Sequence, residues 1–168
     1  MNYWKKLDQH GKTMFIVRSA VIAALYAALT LALYPISFGA VQFRVSEALT
    51  LLPIVMPEAI PGLFVGCLVS NLIGSATPWD IIFGSLATLI AAILTYATRR
   101  NKILAAFWPV ICNTVIVGLV LALTLNLPVF LTMGEVGLGE LVVVYTVGMA
   151  MLAALKRVPT KLLGGQAG

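Results

Sequence analysis

The sequence predicts an all-α integral membrane protein, a bundle of six transmembrane helices with both termini in the cytoplasm. Three observations carry that reading. Of the 168 residues, 61% are apolar and 10% are charged, against about a quarter charged in ordinary soluble domains, and the mean hydropathy is +1.02. The apolar residues gather in five stretches: Phe15 to Tyr34, Val45 to Ile73, Trp79 to Thr98, Ile103 to Leu125 and Val136 to Leu155. The basic residues cluster between these stretches, so the net charge of +5 reads as a topology signal rather than a nucleic-acid patch. At about 20 residues per span, the chain has room for about six crossings and for nothing else. Residues 1–13 form a short cytoplasmic tail, the spans occupy about 14–157, and 158–168 form a second tail, all in a single transmembrane domain. A water-facing catalytic domain, a nucleotide-binding fold and a periplasmic binding lobe are excluded by length.

The first span follows Lys5, Lys6 and Lys12 and lacks a small-residue cleavage site, so it is read as a retained helix rather than a signal peptide. It carries Ala20, Ala24, Ala28 and Ala32 at every fourth position, beside Ser19, Ala23 and Ala27. Small residues at this spacing let helix backbones approach closely. The row serves either packing within the bundle or an external helix.

The second stretch is too long for one helix. Its 29 residues include Pro53, Pro57, Glu58 and Pro61, and as one helix it would rise about 43 Å against a hydrocarbon core of about 30 Å. Parity settles its path. One crossing would leave Arg99, Arg100 and Lys102 outside; two crossings, turning at Pro57-Glu58, place all three basic clusters inside, including Arg18 with the first and Lys156, Arg157 and Lys161 after the last span. The two helices are expected to be short, about 12 to 17 residues each, and tilted or covered by neighbours. The second carries another small-residue row, Gly62, Gly66, Ser70 and Gly74. Ten of the eleven basic residues are then cytoplasmic, and Arg44 is the exception.

Polar residues inside apolar stretches are the candidate site. Arg44 and Glu47 stand three apart at the outer end of span two, where they either pair as a structural anchor or face an outward cavity and a polar ligand. Thr77-Pro78-Trp79-Asp80 has the form of a capping box opening span four. Trp79 beside Asp80 is also what a flat heterocycle with N–H donors requires. Thr132 and Glu135 have the same spacing and read as the cap of the last span. Asn71 and Asn113 are amides in hydrocarbon that need partners, from another helix or from a ligand. Glu140, about one turn into span six, and Tyr145 beyond it could point at the same cavity as Glu47 and Asp80. Glu58 reads as a helix N-terminal acid. The outer connections 34–43 and 126–131 are apolar and aromatic, suited either to fold over a mouth as lids or to dip into the interface.

Catalytic chemistry is missing. The one histidine, His10, lies in the tail, Cys67 and Cys112 are isolated small hydrophobes, and no Gly-x-Ser-x-Gly or phosphate-binding loop occurs. No enzyme activity, cofactor or metal is expected. A small channel would need a polar stripe through the whole bundle, and a purely structural membrane subunit would need no outer polar cluster. Both remain alternatives to a binding subunit.

The six spans, the broken second stretch, the Ala-x-x-x-Ala first helix and the outward polar residues resemble the substrate-binding S components of energy-coupling-factor (ECF) importers. Within that group, the stretch from Gln42 to Pro53 and the later Asn71-Leu72-Ile73-Gly74 resemble the QueT family, named for uptake of queuosine precursors and including relatives that bind cobalamin. The resemblance implies a subunit that captures a micronutrient outside the cell, while a transmembrane T component and two ATPases drive its delivery. It implies docking of the T component on Ala20, Ala24 and Ala28. For a 7-deazaguanine, Glu47 or Asp80 would accept ring and amino hydrogens, Arg44 or Asn71 would meet the carbonyl, and Trp79 would stack. For cobalamin, Asn71, Asn113 and Tyr145 would meet the peripheral amides.

Overall fold

The computed structural model describes residues 7–39, 43–74 and 77–157, and among these every regular element is helical. The N-terminal helix α1 spans Gln9–Ala32 and begins where the Asp8 carboxylate accepts the Gly11 N–H at 2.8 Å, satisfying one of the donors that a helix start leaves open. A single turn, α2 (Tyr34–Ser37), follows with Pro35 near its start. Val45–Ile54 is a 3-10 helix, α3 covers Ala59–Ile73, and α4, α5 and α6 cover Asp80–Ala97, Lys102–Leu125 and Val129–Leu155. Four of these, α1, α4, α5 and α6, are long and apolar enough to cross a membrane, and the 3-10 helix and α3 are shorter apolar helices.

Successive apolar elements run in alternating directions. Tyr26 and Thr30 of α1 meet Glu47 and Ser46 of the 3-10 helix in reversed order. Gly62 and Gly66 of α3 meet Ser19 and Ala23 of α1 in the same order. Asn71 of α3 meets Asp80 at the start of α4, Thr95 near the end of α4 meets Ala105 of α5, and Asn113 of α5 meets Glu140 of α6. The chain therefore turns back at Pro57-Glu58, as the parity of the basic clusters requires.

The broken stretch differs from expectation in kind. Its first half is a ten-residue 3-10 helix, an uncommon length for that conformation. Ten residues rise about 20 Å at 2.0 Å each, where an α-helix would rise about 15 Å. The tighter winding lets a short segment reach deep into the bundle, and Pro53 sits inside it. Eight of its ten residues are buried, so it is the central element of the fold. Leu52 packs with Ile22, Tyr26, Leu63 and Ala92 on one side, and Leu51 and Ile54 pack with Ala106, Val110 and Leu152 on the other.

The start of the last helix also moves. Asn126 takes the left-handed conformation, φ 54°, and closes α5 in the way asparagine tolerates. Pro128 then precedes α6, which begins at Val129. Thr132 and Glu135 therefore lie inside α6 and do not cap it, and the Thr132 hydroxyl donates back to the Pro128 carbonyl at 3.0 Å. Glu140 consequently stands about three turns into α6, not one.

The two small-residue rows have different fates. A Cβ on Gly62 would come within 2.7 Å of the Ser19 carbonyl oxygen, and one on Gly66 within 2.8 Å of the Ala23 carbonyl oxygen, so the glycine row is the seam that holds α3 against α1. Ala20, Ala24, Ala28 and Ala32 face outward and are exposed. Gly62→Ala is expected to lower stability by about 1–3 kcal/mol, because backbone rather than a flexible side chain must yield. Thermal unfolding of the purified protein in detergent checks this. An unchanged midpoint would mean that the seam has slack.

Beneath the seam, the Arg18 guanidinium meets the Glu58 carboxylate at 3.1 Å, and the Ser19 hydroxyl donates to the Glu58 carbonyl at 2.9 Å. The acid read as a helix N-terminal group thus carries a specific counter-charge as well. Large apolar side chains are exposed along the flanks of the helices, with Ile16, Leu72, Ile103, Leu123 and Phe130 all more than half exposed, as lipid-facing residues are.

Candidate functional site

A polar cluster is buried where α1, the 3-10 helix, α5 and α6 converge. Tyr26 and Thr30, four apart on the inner face of α1, are fully buried. The Tyr26 hydroxyl donates to Glu47 Oε1, the Thr30 hydroxyl donates to the Tyr26 carbonyl at 2.8 Å, and the Thr30 and Ser46 hydroxyls lie 2.7 Å apart. From the other side the Asn113 amide donates to Glu140 Oε1 at 3.0 Å and also faces Glu47. Arg44 is near enough for its charge to act on both carboxylates, although it forms an ion pair with neither. The structure thus brings together Arg44, Glu47, Asn113 and Glu140 from the sequence candidates.

Arg44 and Glu47 do not form the ion pair that their spacing allows. Arg44 is the extended residue that precedes the 3-10 helix (φ −93°, ψ 100°). Its side chain leaves toward α2 rather than running down the helix face. There its Nε donates to the Ser37 carbonyl at 3.3 Å, and its guanidinium lies 5.2 Å from the centre of the Phe38 ring. Phe38 packs on Gly74 at the end of α3, and the Tyr34 hydroxyl donates to the Gly74 carbonyl at 3.2 Å. The aromatic turn after α1 therefore closes over the end of the bundle with Arg44 beneath it. Residues 40–42 of that connection lie outside the described residues.

Asn71 and Asp80 form a neighbouring group. The Asn71 amide donates to the Asp80 carbonyl at 3.2 Å and touches Cys67 Sγ at 3.6 Å, and the Thr88 hydroxyl reaches the same sulfur at 3.4 Å. A Cβ at Gly84 would stand 3.2 Å from the Asn71 amide nitrogen, so this glycine makes room for it. Asp80 fulfils the capping reading. Its N–H donates to the Thr77 hydroxyl at 3.2 Å, and its Oδ2 accepts from the Thr77 N–H and hydroxyl at 3.3 and 2.9 Å.

Trp79 and Tyr145 lie elsewhere. Trp79 is 57% exposed and stacks on Phe83, with ring centres 6.0 Å apart, in an open apolar groove of about 750 Å³ between α4 and α5. The Tyr145 hydroxyl donates to the Ile103 carbonyl at 3.0 Å, near the opposite end of the bundle.

The decisive feature is what the cluster leaves unpaired. Among the described residues, Glu47 Oε2, Asn71 Oδ1, Asp80 Oδ1 and Glu140 Oε2 are buried with no hydrogen-bond partner, as are the Ser37 hydroxyl and, at the distant Pro57-Glu58 turn, Glu58 Oε2. Each such group costs about 1–3 kcal/mol, and native structures hold few of them. Asn71 Oδ1 can only accept, and so can the carboxylate oxygens when they are ionised. Two of the π-helical turns begin at polar residues of this region, Asp80–Gly84 at Asp80 and Asn113–Val117 at Asn113. Such turns recur at functional sites because the extra residue per turn redirects side chains.

Tyr26 was missed by the sequence reading. Its signal was present: Tyr26 and Thr30 lie one turn apart in a span otherwise rich in alanine and leucine, which puts two hydroxyls on one face.

The profile of the QueT transporter family matches residues 16–157. The chain belongs to the QueT transporter family. Over 82 residues this QueT-family chain is 43% identical to a protein of Lactococcus lactis subsp. cremoris (strain MG1363) named queuosine precursor transporter QueT, a match covering 48% of each chain. It spans about half the length of that curated relative. No solved structure matches it. Family and helices together describe a multi-pass membrane chain of a transporter family.

Proposed function

We propose that this chain is the substrate-binding S component of an ECF-type ABC importer in a prokaryotic plasma membrane and that its ligand is a queuosine precursor. The observation that carries the ligand assignment is the set of buried, unpaired acceptors, Glu47 Oε2, Asn71 Oδ1 and Glu140 Oε2. A 7-deazaguanine presents N–H groups along one edge, and a carboxylate accepts two such hydrogens side by side. The relative's name points to the same ligand class.

The chain crosses the membrane six times, with both termini in the cytoplasm. The alternating directions of six apolar elements support this, and so does the spacing of the basic residues between the apolar stretches, with Lys12 and Arg18, Arg99 to Lys102, and Lys156 and Arg157 at alternate connections. Energy comes from outside the chain, through a transmembrane T component and two ATPases. The exposed row Ala20, Ala24 and Ala28 supports a docking face for the T component, with an apolar groove of about 320 Å³ beside it, lined by Ile16, Ala20, Ala23, Pro61 and Val65. The aromatic turn from Tyr34 to Phe38 closes over the ligand.

Direct titration of the purified protein with a 7-deazaguanine and, separately, with cobalamin tests the ligand assignment. Saturable binding of the deazaguanine without binding of cobalamin is the expected result. Binding of cobalamin alone would overturn it.

A further inference from the structure

We infer that the site selects a cationic ligand, a donor-bearing heterocycle with a protonated amine arm, and that Glu140 is the residue that reads the charge. The inference rests on the ligand class proposed above and adds to it. The cluster sets two carboxylates, Glu47 and Glu140, against one guanidinium, Arg44. Both carboxylates are at least 95% buried, with exposures of 1% and 5%. A buried charge without a counter-charge is strongly unfavourable in a membrane interior. Two buried acids beside one guanidinium cannot both be ionised at low cost; a monocation lets both ionise, whereas a neutral ligand does not.

The two acids are not equivalent. Glu47 receives the Tyr26 hydroxyl and faces the Asn113 amide, with Arg44 near. Glu140 holds one donor, Asn113 Nδ2 at 3.0 Å, and its Oε2 is unpaired while the like charge of Glu47 stands opposite. Glu140 is the carboxylate whose surroundings compensate it least, and an ammonium group there supplies both a counter-charge and hydrogen-bond donors. Glu47, steadied by Tyr26, is left to accept the neutral N–H edge of the ring.

The test compares two ligands that share the ring and differ in charge, 7-aminomethyl-7-deazaguanine and 7-cyano-7-deazaguanine, by calorimetric titration of the purified protein. The aminomethyl compound is expected to bind at least about tenfold more tightly, and Glu140→Gln is expected to erase most of that ratio. The unfolding midpoint of the variant, read beside its affinity for the cyano compound, checks that the site is still formed. Equal or tighter binding of the cyano compound by the unaltered protein would overturn the charge inference and leave the ligand class standing. So would an undiminished ratio in the variant. Binding of neither compound would overturn the ligand class as well.

Discussion

Glu47→Gln is expected to weaken binding of a 7-deazaguanine by about a hundredfold, near 2.7 kcal/mol, while leaving the ligand-free protein as stable as before or more so. The opposite signs follow from the geometry. Glutamine keeps the shape of the side chain and can still accept the Tyr26 hydroxyl through its carbonyl oxygen. The atom now unpaired, Glu47 Oε2, becomes either an N–H2 group facing the ligand's own donors or a neutral acceptor in place of a charged one. Hydrogen bonds to charged groups contribute about 1.5–3 kcal/mol, and one such bond or two weaker ones account for the loss. In the free protein the same change leaves one buried carboxylate, Glu140, for the one nearby guanidinium of Arg44, so neither charge is stranded and stability is kept. A residue with a purely architectural role would behave otherwise, losing stability and affinity together. Calorimetric titration alongside thermal unfolding in detergent separates the cases. Unchanged affinity would remove Glu47 from the ligand.

The all-helical, multi-pass character and the break in the second stretch were legible in the sequence because they rest on quantities that composition fixes. Span length, the excess length of Val45 to Ile73 and the parity of the basic clusters led to a chain that turns at Pro57-Glu58, and the helices alternate there as required. The site was legible in part. Glu47, Asn113 and Glu140 stood out because ionisable and amide groups in hydrocarbon demand partners, and the structure gathers them. Trp79 and Asp80 could not share a wall, since neighbours on a helix point about 100° apart, and the capping bonds turn Asp80 inward. Tyr145, five residues past Glu140, is rotated well away from it and lies more than a turn deeper. The 3-10 helix and the π-helical turns had no readable pattern, because each is a local change of winding imposed by packing and not by residue type. Asn126 and Pro128 did carry a readable signal, a left-handed closure followed by a helix-starting proline, yet the capping spacing of Thr132 and Glu135 competed with it.

Ala24→Leu is expected to abolish transport while sparing the isolated subunit. The alanine row lies on the outward face of α1, turned away from the buried Ile22 and Tyr26, and Ala20, Ala24 and Ala28 are all exposed. Leucine placed there meets lipid, which accepts it readily, so folding and ligand affinity should stay within about twofold. Packing inside the bundle predicts the reverse. A leucine at a packed position costs about 1–3 kcal/mol, and the neighbouring seam shows what that would look like, since a Cβ at Gly66 already meets Ala23 and Tyr26 at 2.8 Å. If the T component docks on the row, leucine instead holds its helix away from α1, and close backbone approach is the main source of helix association in a bilayer. Uptake driven by ATP in vesicles reconstituted with the T component and both ATPases should then fall at least about tenfold, a loss of 1.4 kcal/mol or more in coupling. Gly66→Leu, on the seam, serves as the contrasting variant, and it should lose stability and binding before transport can be assayed. Full uptake by Ala24→Leu, or loss of ligand binding in the purified variant, would remove the docking role from this face of α1.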